Sequence, residues 1–161
     1  MRPKTEQQAL FMLTTLCSQS EHCSQEMRER MDKWEIAKDE QERILDYLRK
    51  EKYVDDERFC RFFVHDKMLY NKWGQRKIEQ ALFMKKIGKD VSTPIFEEIP
   101  DEDWIEVLKP MIEQKLKTTK GKNDYERSIK TIRWALGRGF LMEHIRNCIH
   151  TIEIEEEDEG L

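Results

Sequence analysis

Glycine and proline are scarce in this chain, 6 and 4 among 161 residues. The few breakers leave long segments rich in Glu, Lys, Arg, Leu and Ile, a composition that favours an all-α protein. Apolar residues are thin as well, 38% against 39% charged. A core drawn from them is small relative to the surface. An elongated helical array tolerates this better than a compact ball, because each unit buries only its contacts with its neighbours. No apolar run approaches the roughly 20 residues that a bilayer span needs. The opening residues, Met1-Arg2-Pro3-Lys4 and then Thr5-Glu6-Gln7-Gln8, do not read as a signal peptide. Cys17, Cys23, Cys60 and Cys148 show no CxxC and no paired spacing. They read as free thiols used for packing in a reducing cytoplasm.

Catalytic signatures are missing too. His22, His65, His144 and His150 are scattered, with no HExxH and no metal-type Cys/His pairing. No phosphate-binding glycine loop and no GxSxG occurs. The adjacent pair Asp55-Asp56 stands at a helix start, where a cap is the ordinary use of such residues. The expectation is a protein without catalytic residues, metal or cofactor.

What the chain does have is patterned charge. The net charge is −4, which by itself argues against a nucleic-acid binder, but the distribution is uneven. Residues 58–89 hold nine basic side chains against Asp66 and Glu79, and residues 92–113 hold seven acidic ones against Lys109. Residues 115–138 are basic again, with eight cations against Asp124 and Glu126, and 153–159 hold six acidic groups and no basic one. Two positive blocks thus flank an acidic one, and an acidic tail, expected to be disordered, follows.

Helical periodicity runs almost throughout. Ala9, Leu10, Leu13, Leu16 and Cys17 share a face after Thr5, a capping residue. Met27, Met31 and Trp34 follow Ser24, and Ile44, Leu45 and Leu48 follow Asp39. Between Tyr53 and Ile87 the pattern predicts a helix capped by Asp55-Asp56, with a stripe of Phe59, Phe62, Phe63, Leu69, Tyr70 and Trp73. A stop at Trp73-Gly74 follows, with Gly74 in the left-handed position, then a helix carrying Ile78 and Leu82. Thr93-Pro94 is expected to start a short helix and Asp101 to cap the next, in which Pro110 should kink or split the run. Asn123 or Asp124 caps a helix with Ile129, Ile132 and Leu136 in line, and a last helix is expected from about Leu141 to Ile152. Laying Ile36, Ile87 and Phe140 together, at spacings of 51 and 53 residues, aligns Met27/Met31 with Ile78/Leu82 and with Thr131/Ala135. The expected layout is therefore tandem three-helix repeats over 5–54, 55–99 and 101–152, about nine helices in helix-turn-helix-like units, with 153–161 as the tail.

The order YVDDERF, FV, WG, RKI and a Leu four residues on, all between Tyr53 and Leu82, resembles the RecX family. The resemblance extends over nearly the whole chain except the acidic tail. It implies tandem three-helix repeats in a cytoplasmic bacterial regulator that binds along the RecA–DNA filament and restrains strand exchange and ATP turnover. The members resembled are more basic than this chain.

The basic residues are the candidate binding surface. Arg58, Arg61, His65 and Lys72 form a stripe beside the aromatic one, and Arg76, Lys77, Lys85 and Lys86 carry the charge onto the next helix. Arg127, Lys130, Trp134 and Arg138 share a face of a later helix, where the tryptophan could stack on a base, anchor a partner or simply pack on a neighbour. Asp66, in the middle of the aromatic stripe, is expected to be buried and to pair near Arg76 or Lys77. The leading expectation is a monomeric, non-enzymatic regulator binding a recombinase filament, with DNA contacted directly or through it and no membrane contact. The acidic segment 92–113 and the tail would limit non-specific DNA binding. The alternatives are a stand-alone DNA-binding helical module and an α-helical protein–protein scaffold.

Overall fold

A computed structural model describes Pro3 and residues 5–149. The expected frayed start (apart from Pro3), residues 150–152 of the expected last helix and the acidic tail lie outside the described residues, and that helix itself ends at Arg146, short of expectation. Within them the chain is all-α: α1 (Glu6–Gln19), α2 (Ser24–Lys33), α3 (Lys38–Lys50), α4 (Asp56–Leu69), α5 (Gln75–Met84), α6 (Lys89–Glu97), α7 (Asp101–Thr118), α8 (Asp124–Gly137) and α9 (Met142–Arg146). No strand occurs among the described residues. Contacts divide the chain into two compact units. One comprises the residues through Phe63 with Leu82–Ser92, the other Val64–Ala81 with the segment from Thr93 onward.

In the first unit the periodic residues close one core. Ala9 and Leu13 of α1, Met27 and Met31 of α2, and Ile44, Leu45 and Leu48 of α3 pack together with Val54. Full burial of each large apolar side chain contributes about 1.5–3 kcal/mol before chain entropy is charged against it. The start of α1 is capped as the sequence suggests. Thr5 Oγ1 accepts from the Gln8 N–H at 3.1 Å while the Gln8 side chain accepts from the Thr5 N–H at 3.1 Å, a reciprocal capping box. Ser24 is not the cap of α2. It lies inside the helix, buried, its N–H donating to Asp56 Oδ1 at 2.7 Å and its Oγ accepting from Arg49 at 3.1 Å. Asp55 caps α4 by accepting from the Arg58 N–H at 3.0 Å. The two aspartates expected to share one cap therefore divide: one closes its own helix, the other ties α4 to α2.

In the second unit α7 packs against α8 and α9, and α8 against α9. Trp104, Leu108 and Ile112 of α7, Ile132 and Ala135 of α8, and Phe140 and Ile145 are buried. Asn123 caps α8, accepting from the Glu126 N–H at 2.8 Å. His144, 2% exposed, bonds through Nε2 to Asp101 Oδ1 at 2.9 Å and pins α9 to the start of α7. Asp101 is thus the first residue of α7 rather than its cap, a place taken by Pro100.

Both proline-containing helices differ from expectation. α6 begins at Lys89, a turn ahead of Thr93-Pro94, because the Gly88 carbonyl accepts from the Val91 and Ser92 N–H groups at 3.1 Å each. Pro94 therefore sits inside the helix and costs it one backbone bond. α7 runs unbroken past Pro110, its apolar face held on both sides of the proline by Leu108 and Ile112.

Three helices end in the same way. The N–H of Ile36 reaches the Met31 carbonyl at 3.0 Å, that of Ile87 the Leu82 carbonyl at 3.0 Å, and that of Phe140 the Ala135 carbonyl at 3.2 Å. The residue just before is left-handed in each: Glu35 at φ 57°, Lys86 at 57° and Gly139 at 95°. This is a Schellman-type closure, with the apolar residue after it folded back on the helix. The left-handed residue after α4 is likewise Lys72, at φ 57°, and not Gly74.

Candidate polyanion and partner surface

Gly74 is glycine for a different reason. A Cβ there would lie 2.1 Å from the Phe140 nitrogen and 2.2 Å from the Gly139 carbonyl carbon, and a Cβ on Gly139 would lie 2.5 Å from the Lys77 nitrogen. The two backbones touch directly: the Gly74 N–H donates to the Arg138 carbonyl at 2.8 Å and the Arg76 N–H to the Gly139 carbonyl at 2.9 Å. This joint carries the two positive blocks of the sequence into one place.

Around it, Arg138 reaches back to the Asn71 carbonyl at 2.9 Å and the Lys72 carbonyl at 3.1 Å. Its guanidinium also lies 5.6 Å from the Trp134 ring, which Lys115 approaches at 5.2 Å. Lys77 and Lys67 hold their ammonium groups 4.7 and 5.3 Å from the Trp73 ring. Such contacts are worth about 0.5–1 kcal/mol each at exposed sites, enough to order the cations without neutralising them. Lys72 and Arg76 are exposed. Beside Lys72 a groove of about 530 Å³ is lined by Met68, Leu69, Val107, Pro110 and Met111, with Asp103 and Glu106 among its polar residues.

The structure brings together Lys72, Arg76, Lys77, Trp134 and Arg138 of the expected surface. It adds Lys67, Lys115 and Trp73, which reading along one helix face could not connect. Other expected residues are committed within the chain. Arg58 bonds Glu21 at 2.7 Å and the Lys52 and Tyr53 carbonyls at 3.1 and 3.3 Å. Arg127 bonds the Thr119 carbonyl at 3.2 Å and Asp124 at 2.9 Å and also reaches the Leu116 carbonyl, closing the end of α7. Lys130 bonds the Lys120 carbonyl at 2.8 Å, and Arg61 lies 3.4 Å from Glu57. Lys85 pairs with Glu26 at 3.2 Å over the rings of Phe59 and Phe63. Burial opposes the Glu26 charge, yet the Cys23 N–H and the Lys85 ammonium together hold its carboxyl below the usual range. Lys86 is exposed at its left-handed turn.

The aromatic stripe of α4 is rotated from expectation. Phe59, Cys60, Phe63, Val64 and Met68 face inward, whereas Phe62 is 54%, Leu69 48% and Tyr70 80% exposed. Asp66 consequently falls at the stripe's edge, its side chain 33% exposed and 3.8 Å from Lys67, not buried against Arg76 or Lys77.

For metals, Asp101, Glu143 and His144 place one ligand atom each within 4.8 Å of one another. The hydrogen bond from His144 Nε2 to Asp101 already accounts for that grouping.

The fold and surface define a class: an all-α protein of three-helix units presenting a cationic cluster at a backbone joint. Residues 55–92 match the family profile described as RecX, second three-helix domain, and residues 101–149 that of RecX, third three-helix domain. The chain belongs to the RecX family. It is similar to "Regulatory protein RecX" of Vibrio vulnificus, 28% identical over 83% of this chain and 86% of that one. The same-named proteins of Acinetobacter baylyi and Oceanobacillus iheyensis are 29% and 28% identical over 87% and 82% of this chain. The match spans 85% of the Acinetobacter protein but only 48% of the Oceanobacillus one, about half its length. Among solved structures, a crystal structure of RecX from Lactobacillus salivarius superposes with a TM-score of 0.83 at 15% identity, covering 92% of this chain and 97% of that one. A crystal structure of regulatory protein RecX gives 0.82 at 17%, covering 89% and 72%. These two likenesses establish the fold.

Proposed function

We propose that this protein is a monomeric, non-enzymatic cytoplasmic regulator that binds the RecA–DNA filament and inhibits recombinase ATP turnover and strand exchange. The carrying observation is the joint at Gly74 and Gly139, where Lys72, Arg76 and Lys77 of one positive block meet Arg138 of the other, 61 or more positions further along the sequence. Family membership supports the regulatory role, since the relatives are named regulatory proteins. The mechanism follows from the surface's chemistry. Ammonium and guanidinium groups held by aromatic rings and backbone carbonyls meet phosphate oxygens or acidic side chains at low entropic cost. The groove beside Lys72 offers apolar area to a protein partner. A protein so bound occupies the filament without chemistry of its own, and nothing in the mechanism needs a cofactor.

The test adds the purified protein to the host recombinase, single-stranded DNA and ATP and follows hydrolysis. Inhibition at stoichiometric concentrations is expected. No effect would overturn the reading; DNA binding without recombinase would then point to a stand-alone nucleic-acid module, and neither activity to a scaffold. With about four phosphate contacts, affinity should fall roughly a hundred-fold between 50 and 200 mM salt.

A further inference from the structure

Besides the acidic block 92–113, whose Asp103 and Glu106 line the groove next to Lys72, the chain carries a denser anionic run. Glu153, Glu155, Glu156, Glu157, Asp158 and Glu159 lie within seven consecutive positions that contain no basic residue. We infer that this segment docks on the cluster formed by Lys72, Arg76, Lys77 and Arg138 and competes there with external polyanions. This rests on the proposed function for the identity of the competitor, but not for the contact itself.

Three observations carry it. The first is charge complementarity. Arg76 and Lys72 are exposed, and no ion pair neutralises them among the described residues. The cations committed elsewhere, such as Arg58 with Glu21 and Lys85 with Glu26, already have carboxylate partners. The second is tethering. Residue 153 follows Arg138 by 15 positions and residue 159 by 21. Arg138 is itself part of the cluster, so the segment is held at an effective concentration on the order of 1 mM. The third is economy of charge. The net charge is −4, yet the surface that converges at the joint is positive, and a tethered anion confines that potential to partners able to displace it.

A polyion contact of about 0.1 mM affinity, met at about 1 mM effective concentration, leaves the cluster about ten-fold occluded. The full chain is compared with a full-length variant carrying Gln at the five glutamates and Asn at Asp158. Two readouts are used: zero-length carbodiimide cross-linking of the dilute monomer followed by peptide mapping, and binding of a single-stranded oligonucleotide. Cross-links from residues 153–159 to Lys72, Lys77 or Lys67 are expected in the parent. The variant is expected to bind the oligonucleotide about ten-fold more tightly at 50 mM salt, with the gain shrinking as salt screens the contact. On a Lys72→Gln, Arg76→Gln, Lys77→Gln background the same neutralisation should bring no gain. Cross-links confined to other lysines, or to dimers, would overturn the inference whatever the oligonucleotide does. Cross-links to the cluster with no oligonucleotide binding by either chain would keep the contact and remove polyanion binding from the proposed function.

Discussion

Gly74 and Gly139 stand backbone against backbone: a Cβ on Gly74 would fall 2.2 Å from the Gly139 carbonyl carbon, and one on Gly139 would fall 3.0 Å from the Gly74 oxygen and 2.5 Å from the Lys77 nitrogen. The positions differ in kind: Gly139 is also left-handed, at φ 95°, whereas Gly74 is constrained by proximity alone. Gly74→Ala should destabilise the protein by about 2–4 kcal/mol, because the clash is with backbone that cannot rotate away. Gly137, with nothing within 4 Å of an added Cβ, is the control. Gly137→Ala should be neutral or stabilising by about 0.5–1 kcal/mol. Urea unfolding followed by circular dichroism distinguishes the two.

The cations of the basic surface should separate into two groups. Arg58→Ala and Arg127→Ala remove donors to backbone carbonyls and should each cost about 1–2 kcal/mol of stability. Lys72→Gln and Arg76→Gln should change stability by less than about 0.5 kcal/mol, yet weaken inhibition of recombinase ATPase. Measuring unfolding and ATPase on the same four variants tests the separation. Loss of inhibition only in the unstable pair would move the functional surface away from the joint.

Burial pushes the thiols of Cys23 and Cys60 up to about 11 from an ordinary value of 9.0. Both should resist a thiol reagent at pH 8 until the protein unfolds, since the thiolate is the reactive form. The linkage has a definite sign. The folded state keeps protons that the unfolded state releases, so this contribution to stability is fully present below pH 9 and is lost as pH rises through 11. Reagent uptake at increasing urea concentrations, repeated from pH 7 to pH 10, checks both statements.

Glu35 and Lys86 hold left-handed backbone that the matching Gly139 adopts without penalty. Glu35→Gly and Lys86→Gly should therefore raise stability by up to about 1 kcal/mol, relieved Cβ strain offsetting the entropy that glycine adds to the unfolded chain. A shift of the unfolding midpoint to lower urea in both would refute this.

Much of the helical architecture is legible in the sequence, because 3.6-residue periodicity reports burial directly. The cores of α1, α2 and α3 follow from Leu13, Met27, Met31, Ile44 and Leu48, and the matched stops at Ile36, Ile87 and Phe140 align by spacing. Periodicity fails where hydrophobic residues exceed what one face can bury. In α4 the aromatics are too many, and Phe62 rather than Cys60 is mistaken for core. It also fails at α6, where a glycine carbonyl outweighs the usual preference for proline in the first turn. The candidate site is legible only as charge. That Arg138 meets Lys72, or that Trp73 takes two lysines, depends on a backbone contact whose only trace is two glycines 65 residues apart.

That separation also sets an order of events during synthesis. The three helix stops close over five residues or fewer and can form as soon as each helix is made. The N–H groups of Gly74 and Arg76 must wait for the Arg138 and Gly139 carbonyls, about 3–13 s later at ordinary rates of translation. Until then they face water, and the positive surface does not yet exist: a nascent chain has its helices before it has the joint that gathers its cations.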